Sequence, residues 1–414
     1  MMSQAKLLGG NVMRRLDQLA EFTDVPGELT RLYLSTSHKA AALQVQAWMG
    51  EAGMLTTIDA VGTVVGRYEG ERPGLPALLL GSHIDTVRNA GKYDGNLGVI
   101  AAIEAVAELH RQGRRLPFAI EVLGFGDEEG VRFPVTLTSS RTVAGTLDAA
   151  ALDAEDADRV SVREALQRFG CDPFKIPDIP RRKEDVLGYV ELHIEQGPVL
   201  EAEDLPVGVV TAIAGASRFT VDVTGIAGHA GTVPMRLRQD AGTAAAEMML
   251  AVERTAVETT DLVATVGRVE VLPGAVNVIP SAARFTIDIR SPSDQVRDDA
   301  IARLSGEMEA IAARRGVGLR VTRSYDAAAA TCSGSMVEQL EAAASRAGIR
   351  PLRLPSGAGH DGLAMIALCP IGMLFVRCKG GISHNPAESS TVEDVDAAVG
   401  VLVDFLSHFA LQRH

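Results

Sequence analysis

The sequence predicts an α/β protein built on a mixed, mostly parallel sheet, with a second, α+β domain inserted into it. Three observations carry this expectation. Apolar, strand-like runs at 77–80 and 118–126 end in glycine-containing loops and flank a helix-like stretch at 97–110, the alternation of right-handed parallel crossovers. From about 209 to 327 the texture changes to strand, helix, strand, strand, helix, strand, the order of a small α+β sandwich. After the run Ala327–Ala330 the first texture resumes. The chain therefore divides into one domain of residues 1–208 and 328–414 and an insert of residues 209–327.

Each element has its own signal. Leu8, Val12, Leu16 and Leu19 recur at helical spacing within 3–22, and a second helix spans about 37–51, ending near Gly53. Short strands follow at 56–58 and 63–68. The 97–110 helix stops at Gly113, as a C-terminal glycine predicts. Residues 148–185 are rich in Asp, Arg and Pro and read as exposed helix and loop, and 189–194 as a further strand. In the insert, strands are expected at 219–224, 263–271, 283–289 and 319–324, with helices at 240–254 and 294–315. A helix at 334–347, a strand at 371–377 and a closing helix from Thr391 complete the chain. Thr391 and Asp394 resemble a capping box, with Asp in the Glu position.

Composition narrows the function. A chain of 414 residues is too long for one ordinary core, and 46% apolar residues supply ample interior for two. A formal net charge of −13 argues against nucleic acid or an anionic membrane as the main partner. Cys171, Cys332, Cys369 and Cys378 show no C-x-x-C spacing, so neither a disulfide framework nor a thiolate metal site is expected, and the usage fits a reducing cytoplasm. The N-terminal stretch is charged from Lys6 through Arg14 and Arg15 without a signal-like apolar core, and no run is long enough to span a membrane.

Chemistry gathers where glycines border strand ends. His83 and Asp94, the pair Glu128 and Glu129, His193, and His384 all occupy such places. Loops past the carboxyl ends of parallel strands are where open α/β sheets bind ligands. Three histidines and three carboxylates of this kind can build two adjacent divalent-metal sites sharing one carboxylate. One glutamate of the 128–129 pair would then stay off the metals and accept a proton, and neighbouring residues on an extended turn point opposite ways. Asp85, two residues after His83, is placed to accept the proton of the other ring nitrogen and fix the tautomer.

Six segments carry a family resemblance: Gly81-Ser82-His83-Ile84-Asp85-Thr86, Asp94-Gly95, Asp127-Glu128-Glu129-Gly130-Val131-Arg132-Phe133, Glu191-Leu192-His193-Ile194-Glu195-Gln196-Gly197-Pro198, Gly228-His229-Ala230-Gly231 and Ser383-His384-Asn385-Pro386-Ala387-Glu388. In order, over nearly the whole chain, they resemble the dinuclear-zinc hydantoinase/carbamoylase amidohydrolases. That family includes allantoate amidohydrolase, N-carbamoyl-L-amino-acid hydrolase and β-ureidopropionase. The resemblance implies a zinc-exopeptidase-like catalytic domain with an inserted ferredoxin-like domain for dimerisation or as a lid. It also implies two divalent ions per subunit, Zn or Mn with Co or Ni as substitutes. His83 and His193 would hold one ion and Glu129 and His384 the other, with Asp94 bridging and Glu128 as general base. A cis peptide would follow Asp94.

The same resemblance implies a homodimer acting on a small ureido acid, with allantoate first and hence a role in purine catabolism, in the cytoplasm that the cysteine usage suggests. The Asp127–Pro134 and Thr138–Gly145 segments favour allantoate. His229 would reach the partner's active site and stabilise an oxyanion. Asn277 and Arg290 would bind the substrate carboxylate, Gln196 the ureido group, and Gly359 would let backbone approach substrate. His360 would stand behind the ligands. The alternatives are an N-carbamoyl-L-amino-acid hydrolase or β-ureidopropionase, a dipeptidase or aminoacylase of the same fold, and a catalytically dead binding protein.

Overall fold

A computed structural model of the chain describes residues 8–410. The strands in chain order are β1 (Leu55–Ile58), β2 (Val64–Tyr68), β3 (Ala77–His83), β4 (Ala119–Phe125), β5 (Val186–Ile194), β6 (Val207–Ile213), β7 (Gly215–Thr224), β8 (Gly228–His229), β9 (Val263–Leu272), β10 (Val278–Ile279), β11 (Ala282–Ser291), β12 (Gly318–Ala327), β13 (Ala330–Thr331), β14 (Arg353–Ser356) and β15 (Ile371–Val376). Two compact units form: one takes the chain up to Thr211, Thr331–Leu354 and the chain from His360 on, and the other takes Ala212–Ala330 with Pro355–Gly359.

The first unit holds a nine-stranded sheet in the order β1-β2-β4-β3-β5-β15-β6-β13, with β14 also paired to β6. Its centre is parallel: β3 pairs β4 and β5, and β15 pairs β5. Every residue of β3, β4 and β15 is buried, as a sheet covered on both faces requires. The helix Asn96–Arg111 packs on β3, β4 and β5 and against the helices Leu8–Ala20 and Val392–His408. Leu97, Val99, Ile100, Ile103 and Val106 are fully buried there, each contributing ~1.5–3 kcal/mol. Gly98 permits the contact: a Cβ there would lie 2.1 Å from the carbonyl of Leu192 in β5.

Helix starts follow local chemistry. Ser35 accepts from the amide of His38 and starts the helix Thr36–Glu51. Thr391 accepts from the amide of Asp394 as expected, but the capping box does not close. The Asp394 carboxylate is held instead by Arg377, at 2.7 and 3.0 Å, and by the Thr391 hydroxyl. The helix Thr138–Val143, with no apolar period to announce it, lies within the stretch quoted for its resemblance. The part of the first expected helix before Leu8 lies outside the described residues.

The second unit is a four-stranded antiparallel sheet, β12-β7-β11-β9, backed by the helices Ala241–Val257 and Asp294–Arg315. Phe219, Val221, Val223, Phe285, Ile287 and Ile289 alternate along β7 and β11 to meet Met248, Val252, Leu304 and Met308 of the helices. Among the described residues the four cysteines are unpaired, and no helix is long and apolar enough to cross a membrane.

Candidate metal centre

His83 ends the parallel strand β3, His193 is the last residue but one of β5, Glu128 and Glu129 follow β4, and His384 follows β15. The strand ends thus deliver all four segments to one place. Asp94 arrives just before the helix Asn96–Arg111 and shares its two oxygens between the groups. Oδ1 is 3.1 Å from His193 Nε2 and 3.8 Å from His83 Nε2, while Oδ2 is 3.1 Å from His384 Nε2. Glu129 Oε2 stands 3.5 Å from that same His384 nitrogen. His83, Asp94 and His193 form one potential ligand group and Asp94, Glu129 and His384 another, with ligand atoms in each within 4.8 Å of one another.

Local backbone sets the rings. His83 Nδ1 meets the carbonyl of Asp85 at 3.0 Å and His193 Nδ1 that of Ile194 at 2.9 Å, so both Nε2 atoms face the centre. Two oxygens of Asp85 face His83 Nδ1: the backbone carbonyl is the nearer, and a carboxylate oxygen, Oδ1, lies 3.6 Å away. The carboxylate accepts from the amides of Glu128 and Glu129, at 3.3 Å each, and fixes that turn.

The turn is not extended. Asp127 takes φ 66°, and both glutamates swing toward the cluster: Glu128 Oε2 lies 3.9 Å from His83 Nε2, and the two belong to one potential ligand group with His83. Gln196 and His384 also have positive φ, 56° and 53°, so three non-glycine residues at the centre sit in a disfavoured region. Gly95 is at φ 65°, which glycine reaches without cost. Through that torsion the chain turns into the helix with a trans peptide at Asp94–Gly95, against the cis bond expected there; among the described residues only Leu272–Pro273 is cis. A Cβ at 95 would lie 2.3 Å from His83 Nε2.

Electrostatics make the cluster a cation seat. Burial, then repulsion from Glu129, Asp361, Asp85 and Asp94, pushes Glu128 well above the ordinary carboxylate range. Burial and the charges of Asp94 and Asp85 do the same to Glu129. Burial works against the charge on Asp94 too, but hydrogen bonds from His193 and His384 outweigh it and hold Asp94 well below its usual range. Burial opposes protonation of His193, yet Asp94 raises it to about 9. Glu129 Oε1 is buried with no hydrogen-bond partner. An orphaned carboxylate oxygen, three imidazoles and a crowd of acids fit divalent cations.

Two residues that the motif quoted without assigning a role complete the centre. Glu388 Oε1 accepts from the amides of Tyr93 (2.9 Å) and Asp94 (3.1 Å), and its Oε2 accepts from Ser383 Oγ (2.9 Å). Ser383 Oγ also lies 3.0 Å from Asp94 Oδ2. The signal was there in Ser383-His384-Asn385-Pro386-Ala387-Glu388, where a hydroxyl and an acid flank a candidate ligand histidine within six residues. Gln196, expected at the ureido group, donates its Nε2 to Asp94 Oδ2 at 2.9 Å, leaving Oε1 buried and unpartnered. His360 is buried edge-on to His193, with ring centroids 4.4 Å apart, and burial drives its pKa well below the usual imidazole value.

The remaining residues lie in the second unit. His229 and Asn277 come together: β8 pairs β10 with His229 opposite Val278, and the Ala230 amide donates to the Asn277 carbonyl at 2.9 Å. Both side chains are exposed. Arg290 gives Nε and Nη2 to the Asp288 carboxylate, at 2.8 and 3.1 Å, and Nη1 to the Gly357 carbonyl at 2.9 Å. One edge of the guanidinium is therefore taken, and one N–H on each of Nη1 and Nη2 is left over. Gly359 closes the 355–359 segment of this unit and is exposed.

A mixed sheet that collects histidines and carboxylates at its parallel strand ends defines a hydrolase with a zinc-exopeptidase-like fold. The model of peptidase family M20/M25/M40 matches residues 79–408, and the chain belongs to that family. It is 42% identical over 395 residues to an N-carbamoyl-L-amino acid amidohydrolase of Geobacillus stearothermophilus, covering 95% of this chain and 97% of the relative. It is 38% identical over 437 residues to allantoate deiminase 2 of Glycine max, covering 98% and 90%. Among solved structures, a hydantoinase/carbamoylase family amidase from Burkholderia multivorans superposes with a TM-score of 0.91 at 33% identity, over 98% of each chain.

Proposed function

We propose that the protein hydrolyses the ureido C–N bond of allantoate, giving the amine, ammonia and carbon dioxide. The observation that carries this is Asp94, one oxygen turned to His83 and His193 and the other to His384 beside Glu129, with Glu128 at hand. In this reading His83 and His193 would hold one divalent ion and Glu129 and His384 the other, with Asp94 as the ligand both would share. Zn or Mn there, with Co or Ni as substitutes, would supply a water of lowered pKa and a Lewis acid for the scissile carbonyl. Glu128, its pKa raised by burial, takes the proton of the attacking water and delivers it to the departing nitrogen. Gln196 Oε1, buried and unpartnered, suits a substrate N–H.

The second unit supplies substrate contacts in this reading: Arg290 through its remaining end, Asn277, and backbone near Gly359. His229 acts on the partner's substrate in a homodimer. Support comes from exposed apolar side chains on the edge strand β9 (Val263, Val269, Val271, Leu272) and around the His229 loop (Ile226, Met235, Leu237). The cell compartment is the cytoplasm in this reading. An N-carbamoyl-L-amino-acid hydrolase is the second reading, favoured by the 42% identity to such an enzyme. Ammonia release by metal-reconstituted protein from allantoate, N-carbamoyl-L-amino acids and N-carbamoyl-β-alanine decides. Preference for a carbamoyl amino acid overturns the first reading, and no turnover of any of them overturns both.

A further inference from the structure

Arg31 is 1% exposed, and its guanidinium donates its described hydrogen bonds to no carboxylate. It spends its donors on neutral oxygens: Nε on the carbonyl of Ile84 (2.7 Å), Nη1 on those of Leu19 (2.7 Å) and Phe22 (3.1 Å), and Nη2 on Asn96 Oδ1 (2.5 Å). The backbone of Arg31 joins the same loop: its amide donates to Thr86 Oγ1 at 2.9 Å and its carbonyl accepts from the Thr86 amide at 3.0 Å. Burying a cation whose donors all meet neutral oxygens is expensive, even with the charges of Asp85 and Asp24 acting on it, and calls for a reason.

Asn96 gives the reason. Its Nδ2 and its amide both donate to the carbonyl of Asp94, at 2.8 and 2.7 Å. A single rigid fork from the N-terminal segment therefore grips the backbone one residue after His83 and, through Asn96, the backbone of Asp94. Arginine suits this because its donors are fixed in one plane, where a lysine would reach one acceptor at a time. The Leu19 and Phe22 carbonyls at the end of the first helix anchor the fork. We propose that Arg31 is a positioning residue that sets the spacing of His83 and Asp94 through Ile84 and Asn96, and thereby the affinity of the metal site those two residues share. This rests on the reading of His83 and Asp94 as ligands.

The test is Zn²⁺ affinity by chelator competition on the full-length protein, with the thermal midpoint of the metal-free protein measured beside it. Arg31→Lys and Asn96→Ala are each expected to weaken one of the two equivalents about tenfold to a hundredfold, the loss typical of residues that orient ligands. Combined, they are expected to weaken it no more than the worse single change, since Asn96→Ala cuts one of the two lines that Arg31→Lys already cuts. Wild-type affinity in Asn96→Ala, or additive losses in the double variant, overturns the proposal. So does an Arg31→Lys protein whose midpoint falls while both equivalents bind as before, because that is the signature of helix anchoring alone. Wild-type protein that fails to take up two equivalents refutes the dinuclear reading itself, a distinct outcome.

Discussion

Replacing Glu388 by alanine tests the way the last loop is fastened to the centre. Glu388 is 4% exposed, and its carboxylate accepts two backbone amides, of Tyr93 and Asp94, and the Ser383 hydroxyl. Truncation leaves two buried N–H groups without an acceptor, at ~1–3 kcal/mol each, a gross loss of ~2–6 kcal/mol. Relief works the other way: after burial, repulsion from Asp94 is the largest cause of the raised pKa of Glu388. The lower half of the range, about 2–4 kcal/mol, is therefore expected for Glu388→Ala. Glu388→Gln keeps an oxygen for both amides and is expected to lose less than about 1.5 kcal/mol. Urea denaturation of the metal-free protein at neutral pH reads both. An alanine variant within about 0.5 kcal/mol of wild type, or a glutamine variant as damaged as the alanine one, refutes the fastening role.

Glu128→Gln is expected to retain bound metal, by elemental analysis, and to lower kcat by ~10²–10⁴-fold, the usual worth of a general base; near-wild-type turnover removes that role. Arg290→Ala is expected to raise KM for carboxylated ureido substrates with kcat little changed, and an unaltered KM eliminates the clamp. Inactive His229→Ala and Glu128→Gln chains, mixed as verified heterodimers, are expected to regain part of the activity, since one of the two centres then has both groups; absence of complementation counts against action in trans. Burial, aided by the charges of Arg31 and Arg132, lowers the pKa of His38 from 6.5 to about 3. A depressed pKa contributes stability above the unfolded value that is lost as pH falls from about 6.5 toward 3, on the order of 5 kcal/mol in all. His38→Gln is therefore expected to flatten the acid limb of the urea midpoint in metal-free protein, and an unchanged limb would show that another group titrates.

The converging loops were legible in the sequence because each ends an apolar strand at a glycine, and the order of strands and helices in the insert could be read from its periodicity. Atomic roles were less legible. Whether the Asp85 carbonyl or its carboxylate lies nearer to His83 Nδ1 depends on a turn of two residues. That both glutamates face the cluster depends on the left-handed conformation of Asp127, which aspartate tolerates but does not advertise. Glu388 contacts a backbone amide 294 residues away, and Arg31 an asparagine 65 residues away, distances over which neither spacing nor propensity carries information. His38 lay on a recognisable helix, but nothing local said that its ring would be wholly enclosed.

The torsions at Gln196 and His384 have a practical consequence. Each holds an L-residue where glycine rests more easily, at ~1–3 kcal/mol apiece. A directed-evolution campaign that selects only for heat resistance would be rewarded for placing glycine at these two positions, and each such gain would remove a side chain that meets Asp94. The molecule's melting behaviour and its usefulness therefore pull in opposite directions at these codons, and any laboratory selection has to score both at once.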